Sequence, residues 1–503
     1  MNALVPHFPV LQVVIPMCIA PLIVLFRNKN IAWFLATLCA FIGFYISVDL
    51  LQTVRASGPI DYAIGNWPRH VGIIYHIDVA SAYILTIISS IAIFVFPYAK
   101  KSVEKEIPEE KIHYFYAAMI LCLTGLMGIT ATGDAFNVFV FLEISSLSTY
   151  ALVAMGDKKG EPPLASLAAY RYLIMGTIGG TFILLGIGFL YMMTGTLNMA
   201  ELSEKIPLVA ETTTIRAAMA FITVGTSIKL ALFPLHMWLP NTYTHAPSVV
   251  SAFLSSTATK VSYYVLLRML FVLFGVSLAA QATHFKFIIA PMALIAIFLG
   301  SVNAIKQTNI KKLLAFSSVA QIGYMVLGFS FNNINGLTGG IVHLFNHALM
   351  KGGLFLVVGC MYYRMNSVDL KDLKGIGRLM PWTTLAFALG GLGLIGVPFT
   401  AGFISKWYLV LGALDADAWW IAGLILVASL LAVVYIFKVL EVAYFQEPEE
   451  GLSVKEAPIS MLVPTYALIL ASIYFGINTD PMLSVAREVA EMFWKIGASQ
   501  GGV

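Results

Sequence analysis

The sequence predicts an all-α membrane protein of about fourteen transmembrane helices. Hydrophobic residues make up 59% and charged residues only 11% of the 503 residues, whereas soluble domains are close to one-quarter charged. Apolar runs long enough to cross a bilayer follow one another along almost the whole chain. A transmembrane β-barrel would instead require short segments of alternating hydrophobicity, which the sequence does not show.

The apolar runs are named TM1 to TM14 in chain order. They fall at 9–26, 31–53, 75–98, 113–131, 134–155, 164–192, 213–237, 247–276, 286–305, 311–330, 337–363, 382–411, 418–445 and 460–477. The stretch 480–498 is amphipathic and is predicted to lie at a membrane surface. No basic segment precedes the first apolar run, so a cleaved signal peptide is not expected.

Loop charges predict the orientation of the bundle. Lysine and arginine are concentrated in one set of connections, at 27–29, 100–111, 158–159, 306–312, 364–378 and 455. The other set is poorer in these residues and contains Arg55, Arg69, Lys205 and Lys286. The richer set should be cytoplasmic, which leaves both termini on the outside.

A weak internal repeat predicts how the helices are grouped. "SSLSTYALVAMG" at 145–156 aligns with "SSVAQIGYMVLG" at 317–328, and the same offset pairs TM7 with TM12. Both of these spans contain a proline, Pro234 five residues after Lys229 and Pro398 eight residues before Lys406. Transporters with inverted repeats place such broken helices at mid-membrane. We therefore predict two inverted five-helix repeats, TM4–8 and TM9–13, with chance similarity as the alternative.

This grouping divides the chain into four parts. They are an N-terminal three-helix segment at 1–112, a first repeat at 113–276, a second repeat at 286–445, and a C-terminal helix with its tail at 460–503. Each repeat would form one half-channel. A proline removes a backbone hydrogen bond, and irregular backbone persists at membrane depth only where protein or water covers it. A hydrated pocket is therefore expected beside each broken helix.

Ionisable residues within the predicted spans indicate an ion path. A charged side chain at the bilayer centre costs at least about 2.5–3.5 kcal/mol on insertion scales, so it normally faces the protein interior and has a function. TM5, TM7, TM8, TM11 and TM12 all contain such groups. The predicted path residues are Glu143, Lys229, Lys260, His343, His347, Lys351 and Lys406.

The spacing of these groups suits proton transfer. His343, His347 and Lys351 are separated by four residues each, so they stack on one face of a helix over two turns. Histidine titrates near neutral pH, which makes it suited to relay protons. Glu143 supplies a carboxylate that could hold Lys229 charged, and loosening of this pair would make the proton of the lysine transferable.

Simpler structural roles remain open for several charged residues. Lys406 could extend its ammonium group to the membrane interface, and His236 could only satisfy backbone groups beside the proline. Lys311 opens TM10 and could mark the cytoplasmic side. Lys438 and Glu441 lie three residues apart near the end of TM13 and could form a plain ion pair. His236, Lys311, Lys438 and Glu441 are therefore accessory candidates.

Five segments occur in a distinctive order along the chain. They are "GDAFNVFVFLEISSLSTY", "KLALFPLHMWLPNTYTHAPSVVSAFLSSTATK", "QTNIKKLLAFSSVAQIGYMVLG", "HLFNHALMKGGLFLVVG" and "GVPFTAGFISKW". Together they resemble the proton-translocating antiporter-like subunits of respiratory complex I, membrane-bound hydrogenases and Mrp-type Na⁺/H⁺ antiporters. The resemblance spans roughly residues 110–445 of this chain.

The resemblance implies a role for each matching position. Glu143 and Lys229 would be the carboxylate–lysine pair of the first half-channel, and Lys260 the lysine that connects it to the centre. A central relay and a terminal lysine would follow. The relay would consist of His343, His347 and Lys351, and the terminal residue would be Lys406, where some relatives have glutamate.

At three positions the sequence differs from many complex I relatives, which bears on the kind of complex to which the chain belongs. Many complex I relatives have an acidic residue and a histidine at the positions of Asn241 and Tyr243, and aspartate is common at the position of Asn309. The sequence after TM14 is also too short for the long lateral helix of the largest complex I subunit. These differences favour the D-type subunit of Mrp-like antiporters or its hydrogenase-type counterpart.

The leading hypothesis is a proton-translocating, antiporter-like subunit that moves H⁺, with or without exchange for Na⁺. It would work with sister subunits in the cytoplasmic membrane of a bacterium or archaeon. The alternative is a mainly structural membrane anchor of a respiratory or hydrogenase-type oxidoreductase. No catalytic centre, cofactor, metal site or nucleic-acid partner is expected, since dinucleotide-binding and iron–sulfur patterns are missing and the net charge is only +4. Whether the parent complex is an enzyme is left open.

Overall fold

The computed structural model of the protein describes residues 4–69, 71–158, 160–282, 284–448 and 453–499, and nearly all of them are helical. The helices, numbered in chain order, are α1 (Phe8–Phe26), α2 (Lys29–Ser57), α3 (Val79–Glu106), α4 (Ile112–Ala131), α5 (Ala135–Ala154), α6 (Leu164–Thr194), α7 (Met199–Val209), α8 (Thr213–Leu230), α9 (Trp238–His245), α10 (Ser248–Ser256), α11 (Ala258–Leu267), α12 (Val276–Ala282), α13 (Ala290–Lys306), α14 (Ile310–Ser330), α15 (Ile334–Met365), α16 (Ile376–Leu379), α17 (Pro381–Ile395), α18 (Ala401–Asp415), α19 (Trp419–Phe445), α20 (Ile459–Ile477) and α21 (Asp480–Ser499).

A β-hairpin interrupts the helices between α2 and α3. Its strands, β1 (Ile60–Ala63) and β2 (Ile74–Ile77), are antiparallel and pair Ile60 with Ile77. The predicted start of TM3 at residue 75 is therefore wrong. Asp78 begins α3 as its N-cap, because its side chain accepts a hydrogen bond from the backbone N–H of Ser81 and its own backbone N–H donates one to the hydroxyl of Ser81.

The remaining short elements are single helical turns. Those of the 3-10 type are Val5–His7, Ile64–Asn66, Glu109–Lys111 and Leu370–Leu373, and those of the π type are Arg268–Leu273 and Phe285–Ile289. Four of them extend a longer helix. The π turn at Arg268–Leu273 continues α11 at the end of TM8 and carries the buried Arg268.

Seventeen of the described helices make up fourteen candidate membrane crossings. Eleven helices are long and apolar enough to cross a bilayer by themselves. The other three predicted spans, TM7, TM8 and TM12, are each divided into two shorter helices, α8 with α9, α10 with α11, and α17 with α18. The predicted all-α bundle with broken TM7 and TM12 is therefore present.

The position of two breaks differs from the prediction. α8 ends at Leu230, before the predicted proline, because Ala231 adopts a left-handed conformation with φ of 61°. TM7 then continues as α9 to His245 instead of ending near residue 237. TM8 was expected to be continuous, yet it is divided at Thr257, whose φ and ψ of −124° and −58° leave the helical region. No proline or glycine marks this site in the sequence.

Helix packing follows the same order in both halves. In the first half α4 packs on α5, α5 on α6, and α6 on α8; in the second half α13 packs on α14, α14 on α15, and α15 on α18. Contacts of α10 with α15 and of α9 with α14 join the two halves. This shared order supports the division into repeats at 113–276 and 286–445, which stays a prediction.

The loops rich in lysine meet on one side of the bundle. A single cavity there is lined by residues of several connections, among them Glu106, Asp157, His245, Lys311 and Asp369. We call this side the lysine-rich face. Lys159, counted among its charges, lies outside the described residues. The amphipathic α21 lies at the opposite face, where Arg55 forms a two-pronged ion pair with Glu488 and α21 packs on α3 and α15.

Candidate functional site

The first predicted pair forms between the middle of α5 and the end of α8. The Nζ atom of Lys229 lies 3.4 Å from Oε1 of Glu143 and donates a hydrogen bond of 2.7 Å to Oγ of Ser146. The side chain of Lys229 is 5% exposed and that of Glu143 is 27% exposed. A Cβ atom at Gly180 of α6 would collide with the carboxylate of Glu143, so this glycine makes room for the acidic group.

The break in TM7 positions Lys229 at the end of a helix. Lys229 is the penultimate residue of α8, where the negative end of the helix dipole favours a cation. The backbone turns away directly afterwards, and the indole of Trp238 donates a hydrogen bond of 2.9 Å to the carbonyl of Ile228. Trp238 also stacks on Tyr172 of α6 with ring centroids 4.1 Å apart. These contacts give the carbonyl of Ile228 a hydrogen-bond partner and hold the end of α8 in place.

A small polar cavity separates Lys229 from TM8. Its volume is about 20 Å³, and its lining includes Lys229, Ser145, Thr149 and, on α11, Ser262. A cavity needs roughly 10–15 Å³ to hold one water molecule, together with polar partners. The cavity therefore has room for a single bridging water between the ion pair and the helix that carries Lys260.

Lys260 is fully buried at the division of TM8. Its Nζ donates a hydrogen bond to the carbonyl of Ser255, in the last turn of α10, and lies 3.4 Å from Oγ1 of Thr259. The last carbonyls of a helix have no partner within the helix. The kink at Thr257 therefore creates the acceptor that solvates the ammonium group of Lys260.

The three groups of TM11 lie on one buried face of α15, as their spacing predicts. The rings of His343 and His347 are parallel within 4°, with centroids 6.2 Å apart. His343 Nδ1 forms a hydrogen bond of 2.9 Å with Ser405 of α18. Nζ of Lys351 donates to the carbonyl of Leu314 at 2.7 Å. Within the described part of the chain, neither ring nitrogen of His347 has a hydrogen-bond partner.

Lys406 points into the break of TM12. Its Nζ donates a hydrogen bond of 2.6 Å to the carbonyl of Ile395, at the end of α17, and lies 5.2 Å from the ring centroid of Tyr324. Gly396, with φ of 86°, makes the turn after α17, and a Cβ atom there would press on the side chain of Lys406. The lysine therefore does not extend to the interface, and this alternative is wrong.

Lys260 connects the two halves electrostatically. Its charge acts on His343, His347 and Lys351, and the charge of Lys406 acts on His343. The carbonyl that accepts the hydrogen bond from Lys260 belongs to α10, and α10 packs on α15, which in turn packs on α18. The structure thus places the seven predicted path residues on α5, α8, α11, α15 and α18, and their connection into one path stays a prediction.

Two accessory candidates have local roles in the structure. His236 lies in the irregular segment that contains Pro234 between α8 and α9, and its ring contacts Phe233 with centroids 5.5 Å apart. Lys438 donates hydrogen bonds of 2.8 and 2.9 Å to the carbonyls of Ile305 and Gln307 at the end of α13. Neither side chain touches the charged series.

The other two accessory candidates, Glu441 and Lys311, differ in their burial and hydrogen bonds. Glu441 is exposed, and no ion pair joins it to Lys438 in the described ranges, so the predicted ion pair of TM13 is wrong. Lys311 is buried and donates a hydrogen bond of 3.0 Å to the carbonyl of Ala246. Pro398 lies in the loop that separates α17 from α18, where the sequence placed the second break.

Sequence reasoning missed a buried ion pair at the opposite face. Arg268 donates a hydrogen bond of 2.6 Å to Asp78, and the side chains are 8% and 3% exposed. Burial alone would raise the pKa of the Asp78 carboxyl, but the Arg268 guanidinium and His76 outweigh this and hold it well below its usual range. The arginine in the apolar run "YYVLLRML" was the available signal.

Comparison with known proteins defines the class of this bundle. Residues 132–432 match the family described as "NADH:quinone oxidoreductase/Mrp antiporter, TM". The chain is 38% identical to NADH-quinone oxidoreductase subunit N of Desulforudis audaxviator, covering 97% of this chain and 99% of that protein. It is 28% identical to the D-type subunit of the Na(+)/H(+) antiporter of Alkalihalophilus pseudofirmus, with 96% of each chain covered. The chain therefore belongs to the family of complex I and Mrp antiporter membrane subunits.

Solved structures show the same fold. A chain of the membrane-bound sulfane sulfur reductase, an archaeal respiratory membrane complex, matches with a TM-score of 0.88 and 27% identity over 98% of this chain and 99% of that one. A chain of the Mrp complex from Dietzia sp. matches with a TM-score of 0.88 and 23% identity over 98% of both. These matches confirm the predicted fold class. This protein is thus a multi-pass, antiporter-like subunit of a multi-subunit membrane complex.

The comparisons leave the parent complex open. Relatives include both D-type antiporter subunits and N-type subunits of oxidoreductases. The departures at Asn241, Tyr243 and Asn309 therefore do not decide between the two. In the structure Asn309 caps α14 and donates a hydrogen bond of 2.7 Å to Asp369, which gives this position a structural role of its own.

Proposed function

We propose that this chain moves protons through the membrane along the series from Glu143 to Lys406. Glu143 and Lys229 hold the proton at one end, Lys260 receives it at the centre, and the relay of α15 passes it to Lys406. The observation that carries this proposal is the continuity of buried ionisable groups across both halves of the bundle. An inert bundle would gain stability by losing so many buried charges.

The cavity beside Lys229 supports a stepwise transfer. A water molecule there would stand between the ammonium group and Ser262, two residues from Lys260 on α11. Beyond Lys260, the parallel rings of His343 and His347 offer nitrogen atoms that accept and donate protons.

The chemistry of the series favours H⁺ over Na⁺ as the moving ion. Hard cations prefer several oxygen ligands, among them carboxylates. Along the series in the described residues, Glu143 is the only carboxylate, and the following groups are ammonium and imidazole. Both groups carry protons, whereas ammonium repels a metal cation and imidazole is a poor ligand for a hard cation such as Na⁺. Proton uptake through this chain should therefore continue when Na⁺ is replaced by choline.

The assembly and location follow from the relatives. Subunits named for Mrp-type antiporters and for respiratory oxidoreductases share this fold over nearly the whole chain. We infer that the protein works beside sister membrane subunits in the cytoplasmic membrane of a bacterium or archaeon. The lysine-rich face is then the cytoplasmic side.

The test is proton movement in inside-out membrane vesicles that contain the assembled complex. Glu143→Gln and Lys229→Met should each abolish formation of a pH gradient, because each removes one partner of the pair that loads the series. The matched control is Glu109→Gln, which breaks the exposed pair between Lys29 and Glu109 at the lysine-rich face. Assembly is checked by co-purification of the sister subunits.

The control should form the same pH gradient as the unmodified complex. Wild-type gradients in both Glu143→Gln and Lys229→Met, with normal assembly, would show that the series does not conduct. The chain would then be the structural anchor considered from the sequence.

A further inference from the structure

A polar cavity at the lysine-rich face has no part in the series described so far. Its volume is about 330 Å³, and it lies where the two halves of the bundle meet. Glu106, Asp157, His245, Lys311 and Asp369 are among its lining residues. A cavity of this size and polarity holds many water molecules.

Glu106 connects the cavity to the start of α10. Its Oε2 accepts hydrogen bonds of 2.9 Å from the backbone N–H and 3.2 Å from the hydroxyl of Ser248, and its other oxygen accepts one from Ser102 at 2.8 Å. A carboxylate at a helix N-terminus is favoured by the helix dipole. The acidic group therefore lies fixed at the point where the polar cavity meets α10.

Lys311 contacts the end of α9, just before α10, from the other side of the cavity. Its Nζ is 3.0 Å from the carbonyl oxygen of Ala246, and the hydroxyl of Ser251 on α10 is 3.4 Å from that same oxygen. Ser251 also donates a hydrogen bond of 2.8 Å to the carbonyl of Tyr243. Lys311 and Ser251 thus share one acceptor, although Lys311 lines the cavity and Ser251 is fully buried.

The buried face of α10 continues from this point to the centre of the membrane. Ser248, Ser251 and Ser255 follow at three- and four-residue spacing, so they lie on one helix face about 5–6 Å apart. Each of them is at most 1% exposed. The carbonyl of Ser255 accepts the hydrogen bond from Lys260. One face of a nine-residue helix therefore leads from the cavity to the central lysine.

We propose that this cavity, with Glu106 and Lys311 at its inner end, is a second route of proton uptake that supplies Lys260 directly through the serine face of α10. The proposal rests on the function proposed above: the Glu143–Lys229 pair sets whether Lys260 accepts a proton, so loss of the pair still stops transport although this route delivers protons to Lys260. Glu106 attracts protons to the inner end of the cavity, and Lys311 hands them to the hydroxyl row. Water between successive hydroxyl groups would complete each step.

A purely structural interpretation makes a different prediction. Glu106 would then only cap α10, and Lys311 would only cap the end of α9. Glu106→Gln keeps a hydrogen-bond acceptor for the cap and removes the proton-binding carboxylate. Lys311→Arg keeps the charge and the donors to Ala246, but arginine is always protonated in proteins and cannot release a proton. These two substitutions separate support of the fold from proton transfer.

The experiment measures the initial rate of proton uptake from the lysine-rich face in vesicles with the assembled complex. Glu106→Gln, Lys311→Arg and Lys311→Met should each slow uptake by at least about tenfold, as loss of a positioned proton donor or acceptor does elsewhere. The matched controls are Glu104→Gln and Lys312→Met. Glu104 pairs with Lys101, and neither control residue lines the cavity.

The outcomes separate this route from the main series. Wild-type rates in Glu106→Gln and Lys311→Arg, combined with loss of transport in Glu143→Gln, would refute the route and leave the main proposal intact. Wild-type transport in Glu143→Gln would refute the main proposal whatever Lys311 does. A slow Lys311→Arg variant with normal assembly would exclude a role limited to capping.

Discussion

The buried pair of Asp78 and Arg268 gives the sharpest prediction about stability. It joins the N-terminus of α3 to the end of TM8 at the opposite face, and both side chains are almost completely buried. Arg268 also donates a hydrogen bond of 2.9 Å to the hydroxyl of Tyr264. Asp78→Asn would leave the guanidinium buried without its counter-charge while keeping a good N-cap residue on α3.

The expected loss follows from burial. Removing one partner of a buried ion pair costs about 3–5 kcal/mol, because the other charge stays desolvated and unpaired. Since asparagine retains the cap, the cost of Asp78→Asn should fall near the lower end, about 3 kcal/mol. The pKa of Asp78 is held well below its usual range, so this stabilisation is present above about pH 4 and lost only as the pH falls through the lowered pKa.

The assay is unfolding of the purified protein in mixed micelles at pH 7, with helix content as the signal. Asp78→Asn, Arg268→Met and the double variant form a cycle whose coupling energy should be about 2–3 kcal/mol. A matched control is the Arg55 and Glu488 pair at the same face, which has two hydrogen bonds but side chains 38% and 43% exposed. Its coupling energy should be below about 1 kcal/mol.

The comparison of the two cycles decides whether burial sets the strength of these pairs. Coupling below about 0.5 kcal/mol between Asp78 and Arg268, the range of independent sites, would refute the reasoning. Equal coupling in both cycles would also refute it, because the exposed pair has the better bidentate geometry.

Two further predictions concern the acidic pair and the hairpin. Gly180→Ala should lower proton transport at least about tenfold, since the added methyl group displaces the Glu143 carboxylate and proton-transfer groups act over short distances. The control is Gly188→Ala on the same helix, where the added methyl group meets open space and transport should be normal. Equal transport rates in the two variants would count against a role of the Glu143–Lys229 pair. His76 lies 2.6 Å from Asp61, and although burial lowers its pKa, the Asp78 and Asp61 carboxylates raise it above the ordinary value. The contribution of protonated His76 to thermal stability is complete below about pH 6.5 and is lost as the pH rises through the raised pKa. The unmodified protein should therefore have a higher Tm than His76→Gln at about pH 6, and this difference should shrink towards about pH 9. A Tm difference that stays constant over this range would contradict the prediction.

The helices could be predicted because hydrophobic length is a strong signal. Most of the fourteen predicted runs agree with observed helices to within a few residues at either end. Two of the differences, the start of TM3 and the division of TM8, have local causes. The capping box of Asp78 begins α3 later than its apolar run suggests, and the kink at Thr257 depends on packing between helices distant in sequence. Neither event leaves a proline or glycine to mark it.

The path residues could be predicted one at a time, but their partners could not. A buried lysine is visible in a sequence because its insertion is costly. The groups that solvate it are mostly backbone carbonyls exposed by helix breaks, such as those of Ser255 for Lys260 and Ile395 for Lys406. Lys311 was ambiguous for the same reason. Its acceptor, the carbonyl of Ala246, lies 65 residues away in the chain and has no distinctive residue type.

The use of carbonyl groups as partners of the lysines bears on how the two ends of the proposed series influence each other. Carbonyl oxygens stabilise a cation without carrying a compensating charge, so Lys260, Lys351 and Lys406 are not neutralised by their partners. Two unit charges about 6 Å apart repel by about 3 kcal/mol at an effective dielectric constant of about 20. A proton on one group therefore raises the cost of a proton on the next. In the mechanism we propose, Glu143 supplies the negative charge at one end, so a change in its contact with Lys229 would alter the balance of charge at Lys260, and repulsion would carry that change along the series.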